Sequence, residues 1–486
     1  MTEHRPFAAT LLALLLSTSA TLQAAEPAPA TSSASPHLET LASAKAAAPT
    51  YRQLNVQRWT TQAGARVLFV EAHELPMFDL RVTFAAGSAQ DGQTPGLALM
   101  TNAMLNEGVP GKDVDAIARG FEGLGADFGN GSYRDMAVAN LRSLVDPSKR
   151  EPAMALFSEV LGKPTFPAAS VTRIKNQLLA GFEYQKQNPS HLANQAFMTQ
   201  LYGSHPYAHG SEGDAKSVQA ITVAQMRAFH KRAYAAGNAV IALVGDLDRA
   251  QAEALAEQVS RALPAGPALP LAPQAKAPAP AVTHIEFPSK QTHVLVGQLG
   301  IARDDPDYVA LTMGNQILGG GGFGTRLMTE VRERRGLAYG VSSGFSAMQA
   351  QGPFLISLQT RAQVSQGTLE LVRQVLRDFL RDGPTEAELA AAKQELAGSF
   401  PLSNASNASI VGQLGGMGFY NLPVSYLEDF MAQSQQLTVE QVKRAMNRHL
   451  DADKLLVVTV GPTVAQDPLP PPSDHPAEPT LGTPEH

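Results

Sequence analysis

Apolar positions along the chain alternate between the two-residue period of strands and the longer period of helices. Short apolar runs predict strands over residues 66–71, 79–84, 134–144 and 293–299. Runs with helical spacing predict helices over residues 96–106, 114–124, 146–161, 168–185, 307–318 and 325–336. A further strand is expected over residues 337–342. Strand-like and helix-like runs thus occur in clusters, which is typical of an α+β fold.

One motif occurs twice with the same internal spacing. Thr222 opens a helical pattern that ends in an apolar strand at Gly245, and Thr438 opens another that ends at Gly461. In both copies the threonine and the glycine are 23 residues apart, and the copies are offset by 216 residues. Threonine is a favourable N-cap, and the β-branched run before each glycine suits a buried strand. The repeat therefore predicts a duplicated α+β domain.

Proline-rich segments divide the chain. Six prolines fall between residues 264 and 280, and seven follow Asp467. Such composition is typical of extended connectors without a packed core. We therefore expect an N-terminal domain over 50–263, a linker over 264–281, a C-terminal domain over 282–463 and a tail over 464–486.

The first residues have the pattern of a secretory signal peptide. Arg5 precedes ten apolar or small residues at 7–16, and small residues and an acceptable cleavage site follow by residue 24. We expect residues 1–24 to direct export to a bacterial periplasm and residues 25–49 to form a flexible lead-in, with a frayed N-terminal helix as the alternative. No run of the chain approaches the roughly 20 apolar residues that a transmembrane helix needs.

The amino-acid composition excludes several protein classes and several kinds of catalytic or metal site. The 486 residues are 44% hydrophobic and 17% charged, which excludes a disordered chain and a polytopic membrane protein. With 38 Lys and Arg against 44 Asp and Glu, the net charge of −6 gives no basic footprint for nucleic acid. There is no cysteine, so disulfides, thiolate nucleophiles and Cys-ligated metals are excluded. Any metal ligand must be His, Asp or Glu.

A run of four glycines, Gly319 to Gly322, precedes Phe323 and Arg326. Such a run is expected to form a loop whose backbone can approach another chain closely. A phosphate-binding loop would need a following Gly-Lys-Ser/Thr, which is absent from this stretch. The expected helix and strand after the loop form an antiparallel return that would bring Arg326 close to Tyr339, 13 residues later. Taken alone, such a pair is more typical of a salt bridge and a half-buried ring than of a functional site.

These features resemble the insulinase or pitrilysin family of zinc metallopeptidases, the inverzincins, which include mitochondrial processing peptidase. The resemblance rests on the glycines, Arg326, the run Arg332-Glu333-x-x-Gly336-Leu337-Ala338-Tyr339 and the duplicated domain. Family landmarks of the first domain also occur in order at residues 87–88, 94–98, 124–126, 133–135 and 201–207. The resemblance covers residues 68–461 and implies two homologous α/β-roll domains, each an antiparallel sheet packed with helices.

The zinc-binding motif departs from the family pattern. Active members follow Gly-Leu-Ala with His-x-x-Glu-His on a helix. Here the two ligand positions are Leu99 and Ala103, and the general-base position is Asn102. The third ligand is expected at or near Ala180 or Gly181, and neither can coordinate a metal. We therefore expect this chain to bind no zinc and no other cofactor.

The resemblance also implies roles in peptide binding. Arg326 and Tyr339 fall on the family's Arg/Tyr pair, whose guanidinium and phenol can stabilise the oxyanion formed at the scissile carbonyl. Extended peptide is expected to add as a strand at the edge of the first-domain sheet. The glycine loop is expected to contact the same peptide through Gly320, Gly321, Gly322 and Phe323.

The sequence thus predicts a zinc-free periplasmic subunit, inactive alone, that pairs with a homologous subunit carrying His-x-x-Glu-His and zinc. In that complex it would contribute Arg326 and Tyr339 to metalloendopeptidase activity on peptide substrates. The alternative is a catalytically inert scaffold or peptide-binding pseudoenzyme. A relocated zinc site is disfavoured because His205 and His209, although four residues apart, lie in a stretch broken by Pro206 that is typical of a loop.

Overall fold

The computed structural model describes residues 54–473. The expected signal peptide, the lead-in and the last residues of the tail lie outside the described residues. Among the helices of residues 54–473, none has the length and apolar character needed to cross a membrane.

The first half of the chain builds a mixed sheet of six strands in the order β1-β2-β8-β3-β7-β6, called the first sheet. Two short strands pair with each other outside it. The strands are β1 Gln57–Thr60, β2 Arg66–Glu71, β3 Met77–Phe84, β4 Gly108–Val109, β5 Lys112–Asp113, β6 Asp127–Ser132, β7 Ala137–Leu144 and β8 Ala239–Gly245. The helices are α1 Leu97–Ala103, α2 Val114–Glu122, α3 Pro147–Gly162, α4 Ala168–Gln185, α5 Pro189–Tyr202, α6 Ala215–Ala220, α7 Val223–Ala233 and α8 Arg249–Ala262.

The second half repeats this plan with a five-stranded sheet in the order β11-β12-β10-β13-β9, called the second sheet. Its strands are β9 Ala281–Glu286, β10 Gln291–Leu299, β11 Val341–Phe345, β12 Pro353–Arg361 and β13 Leu456–Gly461. Its helices are α9 Tyr308–Asn315, α10 Arg326–Met328, α11 Ser365–Asp382, α12 Glu386–Ser403, α13 Asn407–Phe419, α14 Tyr426–Gln436 and α15 Val439–His449. Two π-helical turns, Gln316–Gly320 and Thr329–Glu333, flank the glycine loop.

The duplicated α+β fold is confirmed at the repeated motif. Thr222 and Thr438 both N-cap a helix, and each forms a capping box with a glutamine three residues later. The strands that follow, β8 and β13, occupy equivalent central positions in the two sheets. Each half has its own hydrophobic core between one face of its sheet and its own helices.

The other face of each sheet, called the concave face, is covered by a helix from the opposite half. Helix α13 packs on the concave face of the first sheet, and α5 packs on that of the second. Gly418 allows the first contact, since a Cβ there would lie 2.4 Å from Val240 of β8. Gly297 of β10 allows the second, since a Cβ there would lie 2.9 Å from the ring of Phe197. The halves therefore complete each other through a reciprocal exchange of helices.

Buried polar contacts add to this exchange. The Tyr207 hydroxyl donates to the Asp135 carboxylate and accepts a hydrogen bond from Ala350 N at 3.1 Å. The other Asp135 oxygen accepts from Gln349 N at 2.8 Å. Burial raises the pKa of Asp135, as expected for a carboxylate taken out of water. A loop of the second half is thus held by buried polar groups of the first.

Three local expectations need correction. The strand expected at 337–342 begins only at Val341, so Tyr339 precedes it. The glycine run is not wholly a loop, because Gly319 and Gly320 complete a π-helical turn. Strand β6 (Asp127–Ser132) was not predicted, since its two glycines break any apolar alternation.

The 264–280 segment lacks helix and strand as expected, yet it is tied to the first half. For example, Leu269 N donates a hydrogen bond to Asn238 Oδ1 at 3.0 Å.

Candidate functional site

Helix α1 carries the positions at which the family resemblance places the zinc-binding motif, but its side chains there cannot coordinate a metal. The buried carboxylate of Asp91 accepts hydrogen bonds from Gly96 N at 2.8 Å and Ala98 N at 2.7 Å, which fixes the start of the helix. Leu99 and Ala103 follow on this helix, and both are aliphatic. The helix is therefore formed without the donors that zinc requires.

Asn102 has a structural use. Its side-chain amide is buried and donates to the Tyr234 hydroxyl at 3.1 Å and to Val138 O at 3.3 Å. Tyr234 is fully buried, and burial raises its pKa. An amide in this position satisfies polar groups of the core and cannot accept a proton from water at neutral pH.

The third ligand position is equally unsuited to a metal. Ala180 is exposed on α4, and Gly181 has no side chain. The nearest carboxylate in the sequence, Glu183, is exposed and pairs with Lys186 at 2.6 Å. The donor set of this chain therefore does not fit the zinc of active family members.

Residues 54–473 contain one other group of potential metal ligands, Asp305, Asp307 and His449. Asp307 already has partners within the protein, since Arg448 Nη1 lies 2.5 Å and His449 Nε2 lies 2.9 Å from the same Asp307 oxygen. His205 lies in a loop, as expected, and its Nε2 is 2.7 Å from Pro273 O.

The glycine loop presents an aromatic side chain to solvent. Gly322 and Gly324 have φ angles of 77° and 80°, a region that glycine adopts without strain. Between them Phe323 is 71% exposed. Thr325 Oγ1 donates to Gly322 O at 2.9 Å and N-caps α10, which anchors the end of the loop.

The Arg326 side chain makes its contacts with α11, α12 and the turn between them. The Arg326 guanidinium makes a two-pronged contact with Glu388 of α12, with both N···O distances at 2.8 Å. It also donates to Gly383 O at 2.9 Å and lies 4.9 Å from the ring centre of Phe379. This arginine joins helices of the second half.

Arg332 is the arginine that lies on Tyr339. Its guanidinium carbon is 4.7 Å from the ring centre of Tyr339 and 4.7 Å from that of Phe323. Tyr339 is 88% exposed, and Arg332 is carried on the π-helical turn that follows α10. We call Phe323, Arg332 and Tyr339 the aromatic–arginine stack. The helical pattern over residues 325–336 favours a solvated helix face for Arg332 rather than a role in substrate binding, whereas the structure places its guanidinium over the Tyr339 ring.

Both sheets end in a strand with one unpaired edge. Strand β6 pairs only with β7, and β11 pairs only with β12 among the described strands. Tyr339 of the aromatic–arginine stack lies two residues before β11 in the chain. An extended peptide can add to such an edge through backbone hydrogen bonds.

Two family profiles match the chain in succession. The profile described as insulinase (peptidase family M16) matches residues 66–214, and the one described as peptidase M16 inactive domain matches residues 220–396. The chain is 26% identical over 425 residues to the non-peptidase homolog YmxG of Helicobacter pylori, covering 86% of this chain and 95% of that protein. An uncharacterized zinc protease of Mycobacterium tuberculosis is 26% identical over 419 residues, covering 85% and 95%.

Solved structures agree with these matches. A peptidase M16 inactive domain from Pseudomonas fluorescens is 69% identical, covers 86% of this chain and 100% of its own, and superposes with a TM-score of 0.84. A protease from Helicobacter pylori shares the fold, with 18% identity, coverage of 85% and 100%, and a TM-score of 0.77. The chain therefore belongs to the insulinase family, peptidase family M16, as an inactive-type member whose zinc-ligand positions carry no ligands.

Proposed function

We propose that this chain is the zinc-free subunit of a two-chain periplasmic metallopeptidase of the insulinase family. The observation that carries the proposal is the aromatic–arginine stack, exposed near an unpaired strand edge. It occurs in a chain whose zinc-ligand positions hold Leu99 and Ala103 and whose general-base position holds Asn102. The partner would be a homologous subunit that carries His-x-x-Glu-His and zinc. The zinc and its activation of water belong to that partner.

The exposure of the stack supports a role in contacting another molecule. Two aromatic rings that are 71% and 88% exposed remain largely unburied in this chain. Arg332 between them keeps a planar array of N–H donors, and Tyr339 adds a hydroxyl donor. Such donors suit the carbonyl oxygen of a bound peptide as it gains negative charge.

The role predicted for Arg326 therefore passes to Arg332. Arg326 already uses Nε and Nη2 of its guanidinium to bind Glu388 and Gly383 O within the chain. Phe323 and the edge of β11 would contact peptide backbone next to the stack. The other glycine-loop residues, Gly320, Gly321 and Gly322, allow the close backbone turn and carry no chemistry of their own.

The test begins with co-purification of this chain and a zinc-bearing homologue encoded beside it. Peptidase activity is measured for each chain alone and for the mixture, with bound zinc measured by mass spectrometry. We expect activity and zinc in the mixture and neither in this chain alone. Peptide hydrolysis by this chain alone, with stoichiometric zinc, would contradict the proposal.

Variants then assign the roles. Arg332→Ala in the active mixture is expected to lower kcat/KM by about 100- to 1,000-fold, because losing one oxyanion donor typically costs roughly 2.7 to 4 kcal/mol. Tyr339→Phe is expected to lower it as well, and neither variant should change the zinc content of the partner. Arg444→Ala, on the solvent face of α15, is the matched control.

The second candidate is an inert scaffold or peptide-binding pseudoenzyme. It is favoured by Asn102, which is built into the core as a structural residue. An active mixture whose rate is unchanged by Arg332→Ala and Tyr339→Phe would establish this candidate instead.

A further inference from the structure

The exchanged helices leave part of each concave face open beside its edge strand. The first groove, of about 350 Å³, lies on β3, β7 and β6 next to the start of α13. The second groove, of about 420 Å³, lies on β10, β12 and β11 next to the start of α5. Tyr339 lines the second groove. Each half thus forms the same kind of groove with a helix borrowed from the other half.

Strand register shows that the two grooves are equivalent. Asp79 of β3 faces Arg142 of β7, and His293 of β10 faces Gln359 of β12. Asp79 and His293 also both face the last valine of the repeated strand, in β8 and β13 respectively. The Asp79–Arg142 pair of the first groove therefore corresponds to the His293–Gln359 pair of the second.

The grooves differ in charge. The first contains an ion pair, since Arg142 Nε lies 3.0 Å from Asp79 Oδ1, and it is also lined by Arg81 and Asp127. The polar side chains of the second are Ser190 of α5 and Gln291, His293, Tyr339, Ser342, Ser357 and Gln359. All can donate hydrogen bonds, and no carboxylate is among the described residues that line this groove.

Two arginines lie next to residues that line the second groove. Arg332 lies over the ring of Tyr339. Arg361 faces Gln291 across the β10–β12 pair. Burial lowers the pKa of His293, so at neutral pH its ring offers a neutral hydrogen-bonding group. Neutral donors with two arginines nearby favour an anion over a cation.

We propose that the second groove binds a carboxylate carried by an extended peptide whose backbone pairs with the edge of β11. The carboxylate is either an acidic side chain or the C-terminal group, and both present the same chemistry to the donors. The inference rests on the proposed function, because it assumes that the second groove faces the peptide in the two-chain complex.

The test measures binding by the full chain alone, without the partner subunit. The probes are three fluorescent short peptides that are otherwise identical: one with a central Glu and an amidated C-terminus, one with Gln and an amidated C-terminus, and one with Gln and a free C-terminus. We expect at least one carboxylate-bearing peptide to bind about tenfold more tightly than the amidated Gln peptide, which corresponds to roughly 1.4 kcal/mol. The peptide that does so identifies the source of the carboxylate.

Gln359→Glu places a negative charge in the groove at an exposed position and is expected to remove this preference. Gln62→Glu is the matched control, because it makes the same change near Arg261 and outside the groove. Equal binding of all three peptides, absence of binding, or a preference that survives Gln359→Glu would overturn the inference.

These results are separable from the proposed function. Turnover that depends on Arg332 in the mixture, combined with no carboxylate preference in the chain alone, would overturn the inference only. If Gln359→Glu removes the preference for carboxylate-bearing peptides but Arg332→Ala leaves turnover unchanged, the carboxylate site in the second groove is supported and the proposed role of the aromatic–arginine stack is rejected.

Discussion

Replacing Arg326 with alanine should destabilise the fold, whereas replacing Arg332 should not. Arg326 makes a two-pronged contact with Glu388, donates to Gly383 O and lies on the ring of Phe379. Arg332 contacts two rings that are largely exposed. The two arginines thus separate a structural role from a surface role.

The magnitude follows from Glu388. The hydrogen bond from Arg326 is the main cause that lowers the pKa of Glu388 from 4.5 to about 2. A shift of that size would correspond to about 3 kcal/mol in full. The Glu388 side chain is 31% exposed, so solvent screening reduces this to roughly 1 to 2 kcal/mol. Loss of the contacts with Gly383 and Phe379 adds about 1 kcal/mol. Arg326→Ala should therefore lower the free energy of unfolding by about 2 to 3 kcal/mol.

The pH dependence gives a second signature. Because the folded pKa of Glu388 lies below its unfolded value, the pair stabilises the fold fully above pH 4.5 and loses this effect as the pH falls toward 2. The difference between wild type and Arg326→Ala should accordingly be larger at pH 7 than at pH 3.

The assay is urea unfolding followed by circular dichroism at both pH values, with Arg332→Ala as the control. We expect Arg332→Ala to stay within about 0.5 kcal/mol of wild type, as is usual for surface substitutions. Wild-type stability in Arg326→Ala, or an equal loss in both variants, would refute the assignment of Arg326 to structure and Arg332 to the surface site.

Two further predictions test the reciprocal exchange of helices. Gly418→Ala should lower the free energy of unfolding in urea by about 1 to 2 kcal/mol, because the added Cβ meets β8. A Cβ at Gly416 would have no neighbouring atom within 4 Å, so Gly416→Ala should raise the free energy of unfolding by up to about 1 kcal/mol through helix propensity. Equal effects of the two glycine variants would contradict the close packing of α13. Tyr207→Phe should cost about 2 kcal/mol because it leaves Asp135 and a backbone N–H short of a buried partner, and it should increase proteolysis of the Ala350 loop. Tyr184→Phe, at a ring that is 74% exposed, should unfold like wild type.

Local patterns predicted the elements whose signals are local. The N-caps at Thr222 and Thr438 and the strands that follow were predicted because N-cap chemistry and β-branched runs act within a few residues. Strand β6 was missed because Gly129 and Gly131 remove the alternation on which strand prediction depends. Its place is set by pairing with β7, which is a tertiary effect.

The candidate site likewise has features that local sequence determines and features that depend on tertiary contacts. That Leu99 and Ala103 cannot bind zinc follows from their residue types alone. Arg332, rather than Arg326, contacts Tyr339. Arg332 lies on a π-helical turn, which changes its direction relative to Arg326 in a way that ordinary helical spacing does not predict. Arg326 was bound instead by Glu388, 62 residues away in sequence, and nothing in the local pattern identifies that partner.

The reciprocal exchange of α5 and α13 bears on how the chain could have arisen. Each half alone would expose the concave face of its own sheet and the apolar face of its own exchanged helix. Two copies of one half could cover both surfaces by donating the same helix to each other, as in a domain-swapped homodimer. A single-domain ancestor that dimerised in this way would already have had the architecture of the present chain. Gene duplication and fusion would then have allowed the two grooves to differ as they do now, one with an ion pair and the other lined by neutral side chains.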